Sequence, residues 1–201
     1  MEIKSDPRSN AKSSTLVVLF IGILAVSTAS IFIRFAQTEV PSLVIAAGRL
    51  TIATLVLAPF AIRSWRKNTT RINRKTWLLM GLAGMFLGFH FAAWVTSLEY
   101  TSVASSVVLV TTAPLWVALL SPVFLKEKLT RWVLIGMVVS LSGSILVGLS
   151  SNCWASVSGF SCSNLSDMWG GTTFVGNLLA LAGAFLSAGY IMVGRKVRNS
   201  V

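Results

Sequence analysis

The stretch Trp77-Leu-Leu-Met-Gly-Leu-Ala-Gly-Met-Phe-Leu-Gly-Phe-His-Phe-Ala-Ala-Trp-Val-Thr-Ser-Leu98 is an unbroken apolar run whose only ionisable side chain is His90. At 1.5 Å per residue, an α-helix of this length crosses the roughly 30 Å hydrocarbon core of a bilayer. Working outward, five more such runs appear at residues 15–35, 42–62, 101–125, 132–149 and 174–193. A short polar break at Glu99 and Tyr100 divides the third run from the fourth. The whole 201-residue chain is 54% hydrophobic and 11% charged, with a mean hydropathy of +0.77. A soluble domain carries about a quarter charged residues, so the pattern predicts an all-α polytopic membrane protein of six transmembrane helices.

The seventeen Lys and Arg against six Asp and Glu give a formal net charge of +11. In a soluble chain that excess would raise the question of nucleic acid. Here it sorts by topology, and no basic stripe with interleaved aromatics exists to bind a polynucleotide. Lys4, Arg8 and Lys12 precede the first run, and Arg63, Arg66, Lys67, Arg71, Arg74 and Lys75 follow the second. Lys126, Lys128 and Arg131 follow the fourth, and Arg195, Lys196 and Arg198 follow the sixth. The alternate connections hold no Lys or Arg and carry Glu39, Glu99 and Asp167. By the positive-inside rule both termini are expected on the cytoplasmic side of the plasma (inner) membrane. An N-terminal signal peptide is disfavoured, because the first run is too long and ends in Arg34 rather than at a small-residue cleavage site.

The expected organisation is a cytoplasmic tail (1–14), a five-helix unit (15–149), an outer loop (150–173) and a sixth helix with a second tail (174–201). The outer loop is rich in Ser and Gly and contains both cysteines, Cys153 and Cys162. Facing an oxidising compartment, they could close a small structural disulfide loop; two free thiols are the alternative. Two Cys without a nearby His or carboxylate pair do not complete four ligands, so no metal site is expected.

The sixth run echoes the first. Ser27-Thr-Ala-Ser-Ile-Phe-Ile33 aligns with Ser187-Ala-Gly-Tyr-Ile-Met-Val193 at an offset of about 160 residues, and Arg34 and Arg195 follow. Five helices per repeat would make the second copy enter the membrane from the opposite side, as in the inverted repeats of secondary transporters. The stretch Thr101-Ser-Val-Ala-Ser-Ser-Val-Val-Leu-Val-Thr-Thr-Ala-Pro-Leu-Trp116 is followed by Leu125-Lys-Glu-Lys-Leu-Thr130 and by the glycine-containing run from Gly136 to Gly148. Together with Arg49 and Ser97-Leu-Glu-Tyr-Thr-Ser102, these resemble the EamA-type repeat of the drug/metabolite transporter superfamily. The resemblance implies a permease of ten helices in two inverted repeats that moves small metabolites, often amino acids or related compounds. On that reading the sequence looks truncated, and the second repeat is expected from a homodimer partner or from missing sequence.

Ionisable groups inside a span are costly and are candidates for function by default. Arg49 lies about 10 Å into the second helix, where it could bind a substrate carboxylate or pair with Glu39 or Glu99. Gly81, Gly84, Gly88 and Ala92 form a small-residue face on the third helix, suited to close approach of a neighbour. His90 falls on the opposite face with Phe86 and Trp94. It is expected to line a cavity, in substrate binding or proton transfer, or to bond a neighbouring helix. In the fourth helix Ser102, Ser105, Ser106, Thr111, Thr112 and Trp116 precede or flank Pro114, which withholds a donor from the Val110 carbonyl. That polar stripe reads either as a substrate wall or as packing through small residues. Ser27 and Ser30 in helix one and Tyr190 in helix six invite the same two readings, and Trp94 and Trp116 are candidates to stack on a substrate.

A hydrolase is disfavoured, since no Gly-x-Ser-x-Gly element occurs and no deep carboxylate orients His90. ATP-driven transport is disfavoured because no phosphate-binding glycine loop is present, and no cofactor is expected. The remaining alternatives to a permease are a partner-binding membrane subunit and a nonfunctional fragment.

Overall fold

A computed structural model describes residues 7–67, 73–124, 130–150, 153–156, 159–162 and 171–198. Seven helices and one hairpin are described: α1 (Pro7–Ala36), α2 (Ser42–Lys67), α3 (Arg74–Tyr100), α4 (Val103–Val110), α5 (Ala113–Phe124), α6 (Arg131–Ser150), β1 (Cys153–Ser156), β2 (Gly159–Cys162) and α7 (Thr172–Arg198). Five stretches are long and apolar enough to span a membrane: Thr15–Ala36, Ser42–Arg66, Arg74–Tyr100, Val103–Phe124 and Thr172–Arg198. The apolar α6 supplies a sixth element in the expected place. Helix α1 extends upstream of its apolar run, beginning at Pro7 rather than near Thr15. Several loop residues of the charge count, among them Lys126, Lys128 and Asp167, lie outside the described residues.

The fourth span differs from the single helix expected over 101–125, being two helices joined at Thr111 and Thr112. The cause is local. Pro114 has no N–H to continue the ladder, and the hydroxyls of Thr111 and Thr112 donate to the Val108 and Leu109 carbonyls at 2.9 and 2.6 Å. Such back-bonding competes with regular helix. The chain restarts when the Thr112 carbonyl accepts from Leu115 N at 2.8 Å and Trp116 N at 3.4 Å.

The corner between α3 and α4 is built from hydroxyls. Thr101 leaves the helix in an extended conformation at φ −133° and ψ 174°. Ser102 then caps α4, its side chain accepting from Ser105 N at 3.1 Å. Ser97 and Ser106, both fully buried, hydrogen-bond to each other at 2.6 Å across the corner. Ser105 is buried as well, and its Oγ accepts from Ser102 Oγ at 2.9 Å. Of the two readings of the serine stripe, the geometry at Ser102, Ser105 and Ser106 is that of helix packing.

At the same end, polar contacts join α1, α2 and α3. The Glu99 carboxylate accepts from Ser42 N at 3.3 Å and from Ser42 Oγ, placing negative charge at the N-terminus of α2. Arg34 Nη1 donates to the Leu98 carbonyl in the last turn of α3. Gln37 Nε2 donates to Ser42 Oγ and to the Val95 carbonyl, both at 2.7 Å. Beneath these contacts lies the apolar core: Ile33, Ala46, Trp94, Val95, Leu98 and Val110, with Ile45, Phe91 and Val103 packed against it. Elsewhere the large aliphatic side chains of α1, α2 and α6 point outward, as lipid-facing surfaces do.

The most extensive helix pairing is between α3 and α7. It depends on small residues of α7, where Gly176, Ala180, Gly183, Ala184, Ala188 and Gly189 are buried. This reverses the expectation for α3. A side chain built at Gly81, Gly84 or Gly88 would meet nothing within 4 Å, so that face has no close neighbour among the described residues. Helix α7 instead brings Gly176 against the Tyr100–Thr101 backbone, Gly183 against the backbone at His90 and Trp94, and Gly189 against the Phe86 ring. The antiparallel hairpin pairs Cys153 with Cys162 and Ser156 with Gly159 in its backbone register. The side chains of both cysteines lie outside the described residues.

Candidate functional site

The candidate site lies on α3, which packs against α2 on one side and α7 on another, and Arg49 is its one charged group. Arg49 lies seven positions after Ser42, a depth of about 10 Å from the end of α2. Its guanidinium carbon is 5.4 Å from the centroid of the Phe91 ring and 5.6 Å from that of Trp94. A cation over aromatic faces is stabilised by the ring quadrupoles, by about 2 kcal/mol when the pair is desolvated. Arg49 is half-buried, and no carboxylate pairs with it among the described residues. The two acids proposed as its partners are placed otherwise: Glu99 bonds the start of α2, and Glu39 is exposed in the α1–α2 connection.

His90 adjoins this cluster on the α7 side. Its Nδ1 is 2.8 Å from the Gly183 carbonyl, which can only accept, so Nδ1 carries the proton and donates. In the neutral ring Nε2 is then left as an acceptor. The imidazole lies edge-on to Phe91 at 5.0 Å and nearly parallel to Trp94 at 6.2 Å between centroids. Helix α7 comes close to α3 here, since a Cβ built at Gly183 would stand in ordinary contact, 3.5 Å from the His90 carbonyl oxygen and from Trp94 N. Trp94 is 6% exposed, and its indole Nε1 has no hydrogen-bond partner among the described residues.

Arg49, His90 and Trp94 are thus brought together, and Phe91 completes the group. Phe91 was not singled out in the sequence, where it is one more aromatic in an apolar run. Gly183 was equally silent, although Gly176, Ala180, Gly183 and Ala184 repeat at the spacing of one helical face, which is the signal that could have found it. The other candidates fall elsewhere. Trp116 on α5 meets Phe185 of α7 edge-on at 5.5 Å. Thr112 is buried at the α4–α5 break, whereas Thr111 is exposed. Ser30 is buried and donates to the Ser27 carbonyl at 3.2 Å, with the Ser27 side chain itself exposed. Tyr190 is 38% exposed.

A second tie fixes α7 beside the cluster. Thr101 Oγ1 donates to Asn177 Oδ1 at 2.8 Å, one helical position from Gly176. Gly176 itself lies against the Tyr100–Thr101 backbone. The arrangement offers a cation held by two aromatic faces, an unpartnered indole N–H and an imidazole fixed to the facing helix. Convergence of a few polar groups among aromatic side chains is the chemistry of small-molecule sites in general.

Comparison with known proteins places this geometry in context. Residues 13–149 match the EamA-like transporter family. The chain is similar to an uncharacterized transporter of Bacillus subtilis (strain 168), YxxF, with 26% identity over 98% of this chain and 59% of that protein. It is also similar to an uncharacterized transporter encoded in the sor 3' region of Acidianus ambivalens, with 29% identity over 75% of this chain and 49% of that protein. The chain therefore spans about half to three-fifths of the length of these relatives. No solved structure matches it.

Proposed function

Because this chain belongs to the EamA-like transporter family, we propose that it acts in secondary-active transport of small metabolites such as amino acids, with the solute seated at Arg49, Phe91 and Trp94. The observation that carries the reading is Arg49, a cation in the span α2 that no carboxylate among the described residues neutralises. An unpaired charge at that depth is costly and is kept where it meets a polar solute or water. His90 is assigned to holding α7 through Gly183, and Trp116, Thr112, Ser27, Ser30 and Tyr190 serve as packing or outlying wall positions. The distribution of Lys and Arg supports cytoplasmic termini in the inner membrane.

Alternating access would rock this five-helix unit against an inverted partner unit. The echo of residues 27–33 in residues 187–193 supports α7 as the first helix of that second unit, the remainder coming from a second copy or from further sequence. A partner-binding subunit is the second reading, favoured by the open space around Gly81, Gly84 and Gly88. Uptake of a mixture of radiolabelled amino acids into proteoliposomes tests the first. Uptake well above that of protein-free liposomes is expected. Monodisperse, correctly inserted protein that gives none would refute transport by this chain.

A further inference from the structure

Among the described residues, two buried polar atoms lack a hydrogen-bond partner, Gln37 Oε1 and Trp94 Nε1. Gln37 belongs to the knot at the end of the helices, where its amide nitrogen already bonds Ser42 and Val95. Trp94 is different, because its ring faces the Arg49 guanidinium at 5.6 Å. An indole N–H only donates, and a guanidinium offers five donors and no acceptor. Two neighbouring groups that can only donate, one of them cationic, are complemented by an acceptor of negative charge. Among the described residues no carboxylate supplies it, and Glu99 is bound to Ser42.

The charge balance narrows the class. Arg49 is one cation in a low-dielectric setting, so a monoanion neutralises it, whereas a dianionic phosphate ester would bring in an uncompensated charge. The shape narrows it further. The guanidinium, whose carbon lies 5.4 and 5.6 Å from the Phe91 and Trp94 ring centroids, is a planar fork of N–H donors whose natural complement is a planar, two-oxygen acceptor. We infer that Arg49 and Trp94 form a carboxylate subsite, the guanidinium binding the carboxylate and the indole N–H donating to it, with the aromatic surroundings taking the apolar part of the molecule. The transport reading enters only in taking this carboxylate to belong to the transported solute.

The experiment uses the full chain in lipid nanodiscs and matched pairs of probes: acetate and acetamide, benzoate and benzamide, indole-3-acetate and indole-3-acetamide, with phenyl phosphate as the dianion. Isothermal titration calorimetry should find at least one carboxylate binding about tenfold or more tighter than its amide, the ratio that one hydrogen bond to a charged group provides. Phenyl phosphate should bind more weakly than benzoate. Trp94→Phe removes the indole N–H while keeping an aromatic ring, and should cost the carboxylate several-fold in affinity and the neutral amide less. Arg49→Lys should weaken carboxylate binding, and Arg49→Gln should abolish the preference. No preference for any carboxylate in the wild type, tighter binding of the dianion, or full affinity in Trp94→Phe would each overturn the subsite. Carboxylate binding without uptake would refute the transport reading and leave the subsite standing, whereas uptake with no carboxylate preference would do the reverse.

Discussion

Gly176 carries the closest approach between α7 and the α3–α4 corner, and enlarging it by one methyl tests how that joint is built. A Cβ at Gly176 would stand 2.8 Å from Thr101 N, 2.9 Å from Thr101 Cβ and 2.9 Å from the Tyr100 carbonyl carbon. Two of those atoms are backbone at the end of a helix, so relief requires α7 to move. Overpacking of this kind costs about 1–3 kcal/mol, and the upper end applies because no flexible side chain can yield. Replacing Gly by Ala within a helix returns about 1 kcal/mol, so Gly176→Ala should lose about 2 kcal/mol. Gly183→Ala provides the comparison. Its Cβ would meet the His90 oxygen and Trp94 N at 3.5 Å and Trp94 Cβ at 3.6 Å, which is ordinary contact, so this variant should be neutral or slightly stabilised. Gly189→Ala falls between them, since its 2.9 Å contacts are all to the Phe86 ring, which can turn aside. Thermal unfolding of the three proteins in detergent, followed by the surviving monodisperse peak in size-exclusion chromatography, should rank Gly183→Ala above Gly189→Ala above Gly176→Ala. Equal midpoints for Gly176→Ala and wild type, or a Gly183→Ala protein less stable than Gly176→Ala, would refute this packing of α7.

The other predictions concern polar ties. His90→Leu removes the hydrogen bond to Gly183 and should lower stability by about 0.6–1.7 kcal/mol, the range found for hydrogen bonds between membrane helices; thermal unfolding checks it. Glu99→Gln removes the charge from the start of α2 and should cost about 0.3–1 kcal/mol by the helix-dipole interaction, read by the same assay. Thr101→Val and Asn177→Leu should each destabilise the protein, and the double variant should be less harmful than their sum, because they share one hydrogen bond. Cys153 and Cys162 are cross-strand partners in the hairpin register, a separation a disulfide can bridge. Protein exported through an oxidising compartment and alkylated before reduction should leave both cysteines unlabelled in mass spectrometry, and labelling of both without reduction would refute the bond.

The apolar runs made the spans legible because a bilayer demands long uninterrupted helices, and α1, α2, α3 and α7 all contain the runs that predict them. The depth of Arg49 and the helical face shared by His90, Phe86 and Trp94 were legible for the same reason, since both follow from distance along one helix. What meets that face was not. The Gly81, Gly84 and Gly88 stripe looked like the site of close approach, yet the approach occurs at Gly176, Gly183 and Gly189 of α7, the first two against backbone and the third against the Phe86 ring. Small residues mark where two backbones are able to come close, and only the facing helix decides which stripe is used. The partner of Arg49 illustrates a second limit. Opposite charge favoured Glu39 or Glu99, but α2 turns Arg49 toward Phe91 and Trp94, and the rotation of one helix against another is not encoded in either helix alone. The break at Thr111 and Thr112 was partly legible, because Pro114 announces a missing donor, whereas the threonine back-bonding that completes it depends on side-chain rotamers that the sequence does not specify.

The central claim is that Arg49 holds the transported solute, and solute counterflow tests it most directly. Proteoliposomes preloaded with an unlabelled amino-acid mixture would be diluted into the labelled mixture, with wild-type, Arg49→Gln and His90→Leu proteins matched by size-exclusion profile. The account predicts transient accumulation of label with wild type, most of it retained in His90→Leu, and a loss of about tenfold or more in Arg49→Gln, the size expected when a charged hydrogen-bonding partner is removed. Arg49→Gln protein that folds normally and exchanges solute as fast as wild type would contradict it.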